Sequence, residues 1–392
     1  MSPSRNVSWD MESACRMVFF LFRAGMGFLM FSFVDAFRDS GTAKKVVRLI
    51  DELASDGRRY RIVHVCGTHE DTITKYGVRS MLPSNVEVLM GPGCPVCTVP
   101  PNRIDYAIRL AEQGHTVTTY GDMMRVPAGL GSLQDAKARG HDVRIVYSIH
   151  DAVKMAEKTD RQVIHFAVGF ETTAPTTASE LVAEPPDNFS VYSAHLLIPP
   201  AMMALMEMGV TQVDGFIDPG HVSTIIGEEG YREVAERYRV PQVIAGFEPL
   251  DVLMSVAMIL RQIKEGRAEI ENSYTRAVKP EGAPRALRLL KQVFEPEDAP
   301  WRGIGVIPQS GLKVRDEYEA HDASKRFHVE TEVSYEMPPG CRCGDVLRAI
   351  IYPWECPLFN KTCTPESPVG PCMVSHEGSC YISARYGVED LQ

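Results

Sequence analysis

The sequence contains no cysteine between residues 98 and 340, although it has ten cysteines among its 392 residues. Three of them, Cys66, Cys94 and Cys97, lie early, in the phrases CGTHE and GPGCPVC. Six more crowd the last fifth of the chain, and Cys15 stands apart near the start. A soft-ligand residue that is absent from the middle of the chain and concentrated in two places indicates metal or redox chemistry.

Basic residues are outnumbered by acidic ones. The chain has 51 acidic and 41 basic residues and a net charge of -10, which argues against non-specific nucleic-acid binding because that needs a basic surface. Neither a Walker A sequence nor a G-x-G-x-x-G after a strand is present, so no motif supports nucleotide binding. The length predicts two or three domains, and 44% hydrophobic with 23% charged residues is typical of a soluble globular protein.

A disulfide scaffold is excluded as well, because such scaffolds are small and rich in cysteine along their whole length. We therefore expect a reduced, cytoplasmic protein without a membrane span. The apolar run at residues 17–34 is nearly long enough to cross a bilayer, so a signal anchor stays open, but no small-residue cleavage site follows it. We interpret residues 1–30 as an extension from an upstream start codon, with the native chain beginning at Met30.

Short apolar, β-branched runs alternate with loops and helical patterns from Tyr60 onward, which predicts an α/β fold with parallel sheets covered on both faces. We expect a helical segment at 31–60 that packs on the C-terminal domain, and two similar α/β domains at 61–140 and 141–270. Residues 271–392 should form an irregular, cysteine-rich domain, in which residues 301–308 read as a strand. The predicted strands lie at residues 60–65, 86–90, 115–120, 142–148, 163–170, 189–197, 213–217 and 242–247.

The late cysteines follow the spacing Cys341-x14-Cys356-x6-Cys363-x8-Cys372. Structural zinc sites usually pair their ligands as C-x2–4-C, and this segment has no such pair. Four dispersed thiols among prolines favour an iron–sulfur cluster, although zinc, or packed or disulfide-bonded cysteines, stay open. Cys343 is a possible replacement for Cys341 as a ligand.

The early thiols follow predicted strands. Cys94 and Cys97 form a C-x-x-C, which suits a reversible disulfide or a metal site. Cys66 should lie near the start of a helix, where the dipole favours thiolate and where Thr68 could cap the helix. His69 either hydrogen-bonds a metal-bound ligand or lies on the helix surface. The three thiols could converge on one soft metal such as iron, or form a dithiol–disulfide switch with a third resolving thiol.

Polar loops follow three later strands, at the edge of the sheet where ligands bind in open α/β folds. The first is the hydroxyl-rich phrase GFETTAPT, which begins at Gly169 and contains Glu171, Thr172 and Thr173. The others are DPGH, which ends at His221, and GFEP at residues 246–249. Each is weak alone, being a turn with a helix cap, but together they predict a polar cleft opposite the thiols.

Taken in this order, the phrases resemble the HypD family of [NiFe]-hydrogenase maturation proteins, over residues 34–386. The motifs that carry the resemblance are CGTHE, GPGCPVC, YGDMMRVP, GFETTAPTTA, DPGHVSTIIG, GFEPLD and CPLFNKTCTPESPVGPCMVSHEGSC. The resemblance implies two similar α/β domains, a third cluster-bearing domain, and a scaffold on which an iron centre carrying cyanide and carbon monoxide is assembled. It implies work with the small chaperone HypC and receipt of cyanide from HypE after HypF has prepared it.

The same resemblance implies roles for individual residues. Cys66 would ligate the iron together with a thiol of HypC, with His69 supporting that iron or its ligands. Cys94 and Cys97 would be the redox pair and contribute to the site of the iron under assembly. A [4Fe-4S] cluster would be held by the late thiols Cys341, Cys356, Cys363 and Cys372. Further candidates for orienting the iron's ligands are Thr68, Glu70, Glu171, Thr172, Thr173 and His221.

Two other functions are compatible with the residues alone. An iron–sulfur-dependent thiol–disulfide oxidoreductase would use Cys94 and Cys97 as its catalytic pair and need no iron at Cys66. A zinc-stapled interaction module would be colourless and redox-inactive.

Overall fold

The computed structural model describes residues 36–331 and 336–387. The predicted extension, Cys15, the apolar run at 17–34 and the start at Met30 lie outside these residues. Within the part of the chain that is described, no helix is both long and apolar enough to cross a membrane.

Two parallel sheets and one antiparallel hairpin make up the strands. The first sheet has the order β2-β1-β7-β8-β9 and the second β4-β3-β5-β6, with all neighbours parallel, whereas β10 and β11 form the hairpin. The predicted parallel α/β fold is confirmed. The strands are β1 Tyr60–His64, β2 Val86–Met90, β3 Thr116–Thr119, β4 Val143–Ile145, β5 Val163–Gly169, β6 Phe189–His195, β7 Gly215–Pro219, β8 Gln242–Ala245, β9 Ile270–Asn272, β10 Phe294–Trp301 and β11 Gly305–Val314.

Helices cover the faces of both sheets, as the uninterrupted apolar strands require; β5, for instance, is buried at every position. The α-helices are Ser40–Leu53, Gly67–Lys75, Val78–Met81, Pro95–Thr98, Pro101–Glu112, Leu133–Ala138, Ile149–Ala156, Ala174–Val182, Ile198–Met208, Gly220–Ile226, Arg232–Tyr238, Pro249–Glu265, Pro284–Val293, Ala323–Arg326, Cys343–Leu347, Pro371–Val374 and Ser379–Tyr386. Short 3₁₀ helices lie at Gly121–Met123, Glu229–Tyr231, Asp316–His321 and Pro353–Glu355.

The division between the two sheets does not follow the predicted boundary at residue 140. The first sheet takes β1 and β2 from the early chain and β7, β8 and β9 from residues 215–272, and the second sheet takes all the strands between them. The reason is a long-range pairing, in which Ile62, Val63 and His64 of β1 lie beside residues 215–217 of β7. The chain therefore leaves the first domain, builds the second, and returns.

The helix Ser40–Leu53 packs on the first sheet's domain, not on the C-terminal domain as expected. Its buried residues Val46 and Ile50 join the apolar cluster of the helix Pro249–Glu265, and the backbone N–H of Leu250 donates to the carbonyl of Phe37. Apolar residues on one face of a helix show that the helix is covered, but not by which element.

The strand predicted at residues 301–308 is wrong in its centre. Trp301 ends β10, the chain turns at residues 302–304, and β11 begins at Gly305. Gly303 takes a left-handed conformation with φ of 73°, which a glycine adopts without strain.

Candidate metal and redox centre

The two early thiol loops touch each other at the carboxyl ends of β1 and β2. The backbone N–H of Gly67 donates to the carbonyl of Gly93 over 3.3 Å. A Cβ on Gly93 would lie 2.1 Å from the backbone nitrogen of Cys66, so a residue with a side chain does not fit there without moving the backbone. The glycines of GPGCPVC therefore allow the C-x-x-C turn to lie directly against Cys66.

Cys66 is the N-cap residue of the helix Gly67–Lys75 and is 7% exposed. Thr68 and His69 favour the ionised form of this thiol, although no hydrogen bond to the Cys66 side chain caps the helix. Burial, with the negative charge of Glu377, nevertheless raises the pKa of Cys66 to about 12. The expected preference for thiolate is thus outweighed by desolvation, and a cation that bound this sulfur would displace its proton.

Cys94 and Cys97 form a disulfide, with their Cα atoms 5.3 Å apart. Both residues are fully buried, and the backbone N–H of Cys97 donates to the Cys94 sulfur over 3.2 Å. The C-x-x-C is therefore in the oxidised state of the predicted switch. Among the described residues, no three His, Cys, Asp or Glu side chains are arranged to hold one metal ion, so the structure shows the disulfide and not the alternative in which three thiols converge on a metal.

His69 is buried beneath the end of β8 and is not on the helix surface. Its Nε2–H donates to the carbonyl of Gly246 over 2.9 Å, which leaves Nδ1 unprotonated and, in its buried position, without a partner. Burial and the neighbouring His64 lower the pKa of His69 to about 3, so the ring is neutral. His69 thus offers an available lone pair three residues after Cys66.

Glu70 is bonded to neighbouring side chains of the scaffold. Its carboxylate accepts hydrogen bonds from Arg79 over 2.6 Å and from Thr74 over 3.0 Å, and lies 2.8 Å from the Nε2 of His64. The other ring nitrogen of His64 lies 3.1 Å from the carbonyl of Cys66. Burial alone would raise the pKa of Glu70, but the charge of Arg79 and the contact with His64 more than offset it and hold the pKa below its usual range.

The remaining predicted loop residues have different environments. Glu171 is buried: its Oε1 accepts from the N–H of Ile198 over 2.9 Å, its Oε2 has no partner, and burial raises its pKa to about 7. Thr172 is exposed, whereas Thr173 is half-buried and precedes the helix Ala174–Val182 without capping it by its side chain. His221 lies at the surface, where its ring packs 4.0 Å from that of Phe247.

Asp218 opens the DPGH loop of the predicted polar cleft, although only His221 of that loop was named as a candidate site residue. It is fully buried at the end of β7, neither of its side-chain oxygens has a partner, and burial raises its pKa well above the usual value. Burial raises the pKa of Tyr231 in the same way, and the charges of Asp218, Glu171 and Cys66 add to that effect, which puts these groups around one buried region. The sequence signal for this residue is an acidic side chain at the carboxyl end of an apolar strand.

The late cysteines approach one another in the C-terminal segment. The thiol of Cys343 contacts those of Cys341, Cys372 and Cys380. A Cβ on Gly370 would lie 2.4 Å from the Cys341 sulfur and 2.8 Å from that of Cys343, so this glycine leaves room for the sulfurs. Two of the four predicted cluster ligands, Cys341 and Cys372, belong to this group.

The other two predicted ligands, Cys356 and Cys363, share the same buried apolar cluster, and the backbone N–H of Val369 donates to the Cys363 sulfur over 3.3 Å. Irregular backbone that directs N–H groups at thiols is the environment that iron–sulfur clusters use. The sulfurs that the structure brings together are thus those of Cys341, Cys343, Cys372 and Cys380, which is compatible with a metal cluster, whereas Cys356 and Cys363 are not in contact with them in the described residues.

The C-terminal segment also lies against both early loops. The helix Pro371–Val374, which carries Cys372, packs on the helix Pro95–Thr98, which carries Cys97. A Cβ on Gly67 would lie 2.4 Å from the Cβ of Glu377, so CGTHE lies equally close to the segment that follows Cys372. The two cysteine groups, distant in sequence, form one continuous region.

Comparison with known proteins identifies the family of this chain. The sequence profile named HypD, described as the hydrogenase formation hypA family, matches residues 41–387. A putative hydrogenase expression/formation protein of Methanocaldococcus jannaschii is 47% identical over 352 residues, which cover 89% of this chain and 98% of that protein. Hydrogenase maturation factor HypD of Rhizobium leguminosarum bv. viciae is 45% identical over 91% of this chain and 95% of its own length. That of Cupriavidus necator is 43% identical over 91% and 97%. The chain therefore belongs to the HypD family.

Proposed function

We propose that this protein is a hydrogenase maturation factor, a redox-active scaffold on which the iron centre with cyanide and carbon monoxide ligands is assembled before transfer to a [NiFe]-hydrogenase. The observation that supports this most is the contact between the loop of Cys66, a free thiol, and the loop of the C-x-x-C disulfide, both lying against the C-terminal segment that carries six cysteines. A metal-ligating thiol, a two-electron store and soft ligands for a cluster are thus joined in one chain.

The iron under assembly is the substrate, and Cys66 is its ligand from this chain. The iron replaces the thiol proton and gives the sulfur a charge partner in a buried site. A thiol of a HypC-type partner completes the attachment. The Nε2–H of His69 is held by the carbonyl of Gly246, so the free lone pair of Nδ1 is the group that His69 offers to the iron.

Cys94 and Cys97 supply reducing equivalents to this substrate. Oxidation of the dithiol to the disulfide releases two electrons and two protons, and the reverse reaction takes them up. Cys341, Cys356, Cys363 and Cys372 hold a [4Fe-4S] cluster, which exchanges single electrons when bound. The packing of the helix Pro371–Val374 on the helix Pro95–Thr98 supports a short path between the cluster and the dithiol.

Cyanide arrives from a HypE-type partner, after preparation by HypF, at the carboxyl ends of the strands. His221 and Phe247 lie at the outer side of His69, so a partner that docks there reaches the thiol from the strand-end side. Glu171, with its raised pKa, has a carboxyl proton available as a donor to an anionic diatomic ligand.

The infrared spectrum of the complex with the HypC-type partner tests the ligand role. In Cys66→Ala the iron–cyanide and iron–carbonyl bands should vanish while the visible absorption of the cluster is retained. Ser80→Ala is the matched control, because this exposed hydroxyl donates only to the carbonyl of Gly77, and it should keep both signals. Bands of undiminished strength in Cys66→Ala would refute the assignment.

A further inference from the structure

Arg302 is a buried arginine at the turn between β10 and β11, with 2% of its surface exposed. Its backbone N–H donates over 2.8 Å to the carbonyl of Thr98, the last residue of the helix that carries Cys97. On the other side, a Cβ on Gly303 would lie 2.7 Å from the Cα of Gly344, which belongs to the helix that starts at Cys343. The turn is therefore wedged between the disulfide and the late cysteines.

The guanidinium of Arg302 lacks full compensation for its charge. One nitrogen, Nη1, donates to the carbonyl of Pro127 over 2.8 Å, whereas the buried Nε has no partner. The groups that act most strongly on its charge are the thiols of Cys343, Cys341 and Cys372, ahead of Asp105. The side chain thus lies in the field of the sulfurs that face the predicted cluster.

A buried charge is costly unless a charge of opposite sign lies near it, and the carboxylate Asp105 acts on Arg302 more weakly than the cysteine sulfurs do. Arginine does not escape this cost by losing its proton, because its intrinsic pKa is too high. Four thiolates bound to an iron–sulfur cluster make a group with a net negative charge. A cluster held by the C-terminal cysteines would therefore supply the negative charge that compensates the buried positive charge of Arg302.

We propose that Arg302 is a positioning residue that compensates the negative charge of an iron–sulfur cluster held by the C-terminal cysteines and raises the potential at which that cluster accepts an electron. The inference rests on the proposed function, since it requires the cluster. One-electron reduction adds one negative charge to an already anionic group, and the nearby cation stabilises that reduced state more than the oxidised one.

The test is a redox titration of the anaerobically purified full chain, with dithionite as reductant, followed by electron paramagnetic resonance and visible absorption. Arg302→Met removes the charge at similar length, and Arg302→Lys keeps it. Arg342→Gln is the matched control, because Arg342 lies between Cys341 and Cys343 in sequence but is exposed and paired with Asp345.

In Arg302→Met the ratio of reduced to oxidised cluster at a fixed potential should fall at least tenfold, which is a lowering of the midpoint by about 59 mV for one electron. Arg302→Lys should restore most of this shift, and Arg342→Gln should titrate as the wild type does. Loss of the cluster from Arg302→Met but not from Arg302→Lys, with unchanged circular dichroism, would equally support the charge requirement.

Equal midpoints in Arg302→Met, Arg342→Gln and the wild type would overturn the inference while leaving the proposed function intact. Equal loss of the cluster from Arg302→Met and Arg302→Lys would overturn the charge role, because only the guanidinium's shape would then matter. Wild-type protein without iron and acid-labile sulfide would instead refute the cluster itself.

Discussion

Replacement of Glu70 by glutamine should lower the free energy of unfolding much more than a substitution of the same size and shape usually does. The side chain of Glu70 is 1% exposed and that of its partner Arg79 is 12% exposed, so the substitution leaves a buried guanidinium opposite a neutral amide. The amide also presents an N–H to Arg79 or His64, where a carboxylate oxygen had accepted a hydrogen bond. Volume is unchanged, and the effect is therefore electrostatic.

The magnitude follows from burial. Breaking one side of a buried ion pair costs about 3–5 kcal/mol, a large share of the 5–15 kcal/mol typical of a whole domain. Glu87→Gln is the matched control, because Glu87 pairs with Arg59, whose side chain is 68% exposed, and with Arg61, whose side chain is 22% exposed. Exposed pairs contribute about 0–1 kcal/mol, so the control should lose clearly less stability than Glu70→Gln. Urea unfolding at pH 7 measures both variants, with equal slopes in denaturant expected.

The pH dependence gives an independent readout. Because the pKa of Glu70 is lowered in the folded state, its stabilising contribution is complete above the pKa of the unfolded chain and is lost as the pH falls below that value. Glu70→Gln should therefore lose less stability on acidification than the wild type or Glu87→Gln. If the two variants lose stability at pH 7 by amounts within about 1 kcal/mol of each other, the Glu70–Arg79 pair contributes no more than an exposed ion pair does, and the reasoning is refuted.

Two further predictions concern the cysteine-bearing loops. Gly93→Ala should lower the free energy of unfolding by about 1–3 kcal/mol, because its Cβ would meet the backbone of Cys66 and Val65. Gly121→Ala is the control and should change little, since the nearest atom to its Cβ is Cγ2 of Ile145 at 3.7 Å. Urea unfolding compares the two variants, and equal midpoints would contradict the close contact at Gly93. Cys356→Ser and Cys363→Ser should lose iron and sulfide after anaerobic purification while Cys380→Ser retains both; loss only from Cys380→Ser would refute the proposed ligand set.

The sequence predicts the strands well because parallel strands covered on both faces are continuous apolar runs. β1, β2, β3 and β5 lie within one residue of their predicted ends. It does not predict which strands share a sheet, because the pairing of β1 with β7 joins residues more than 150 positions apart and depends on tertiary packing. The same limit explains the helix Ser40–Leu53, whose apolar face shows no preference for one partner.

Candidate site residues divide along a similar line. Motif phrases identify Cys66, His69 and the C-x-x-C, because chemistry requires those residue types next to strand ends. The role of Glu70 was not predictable, since Arg79 reaches it across nine residues and only the folded loop shows the carboxylate saturated with partners. The raised pKa of Cys66 was missed for the opposite reason: the helix end is a local feature, whereas burial is a property of the whole fold.

Burial also decides between a scaffold and a thiol–disulfide oxidoreductase. Exchange requires an attacking thiolate to approach one sulfur of the disulfide, so a dithiol that serves protein substrates needs an accessible sulfur. Cys94 and Cys97 are both fully buried, and the elements that cover them are the loop of Cys66 and the helix that carries Cys372. A substrate dithiol would therefore first have to displace the C-terminal segment, whereas the late cysteines and the loop of Cys66 already lie against the elements that carry the disulfide. This favours redox chemistry that stays within the chain, as the proposed scaffold function requires.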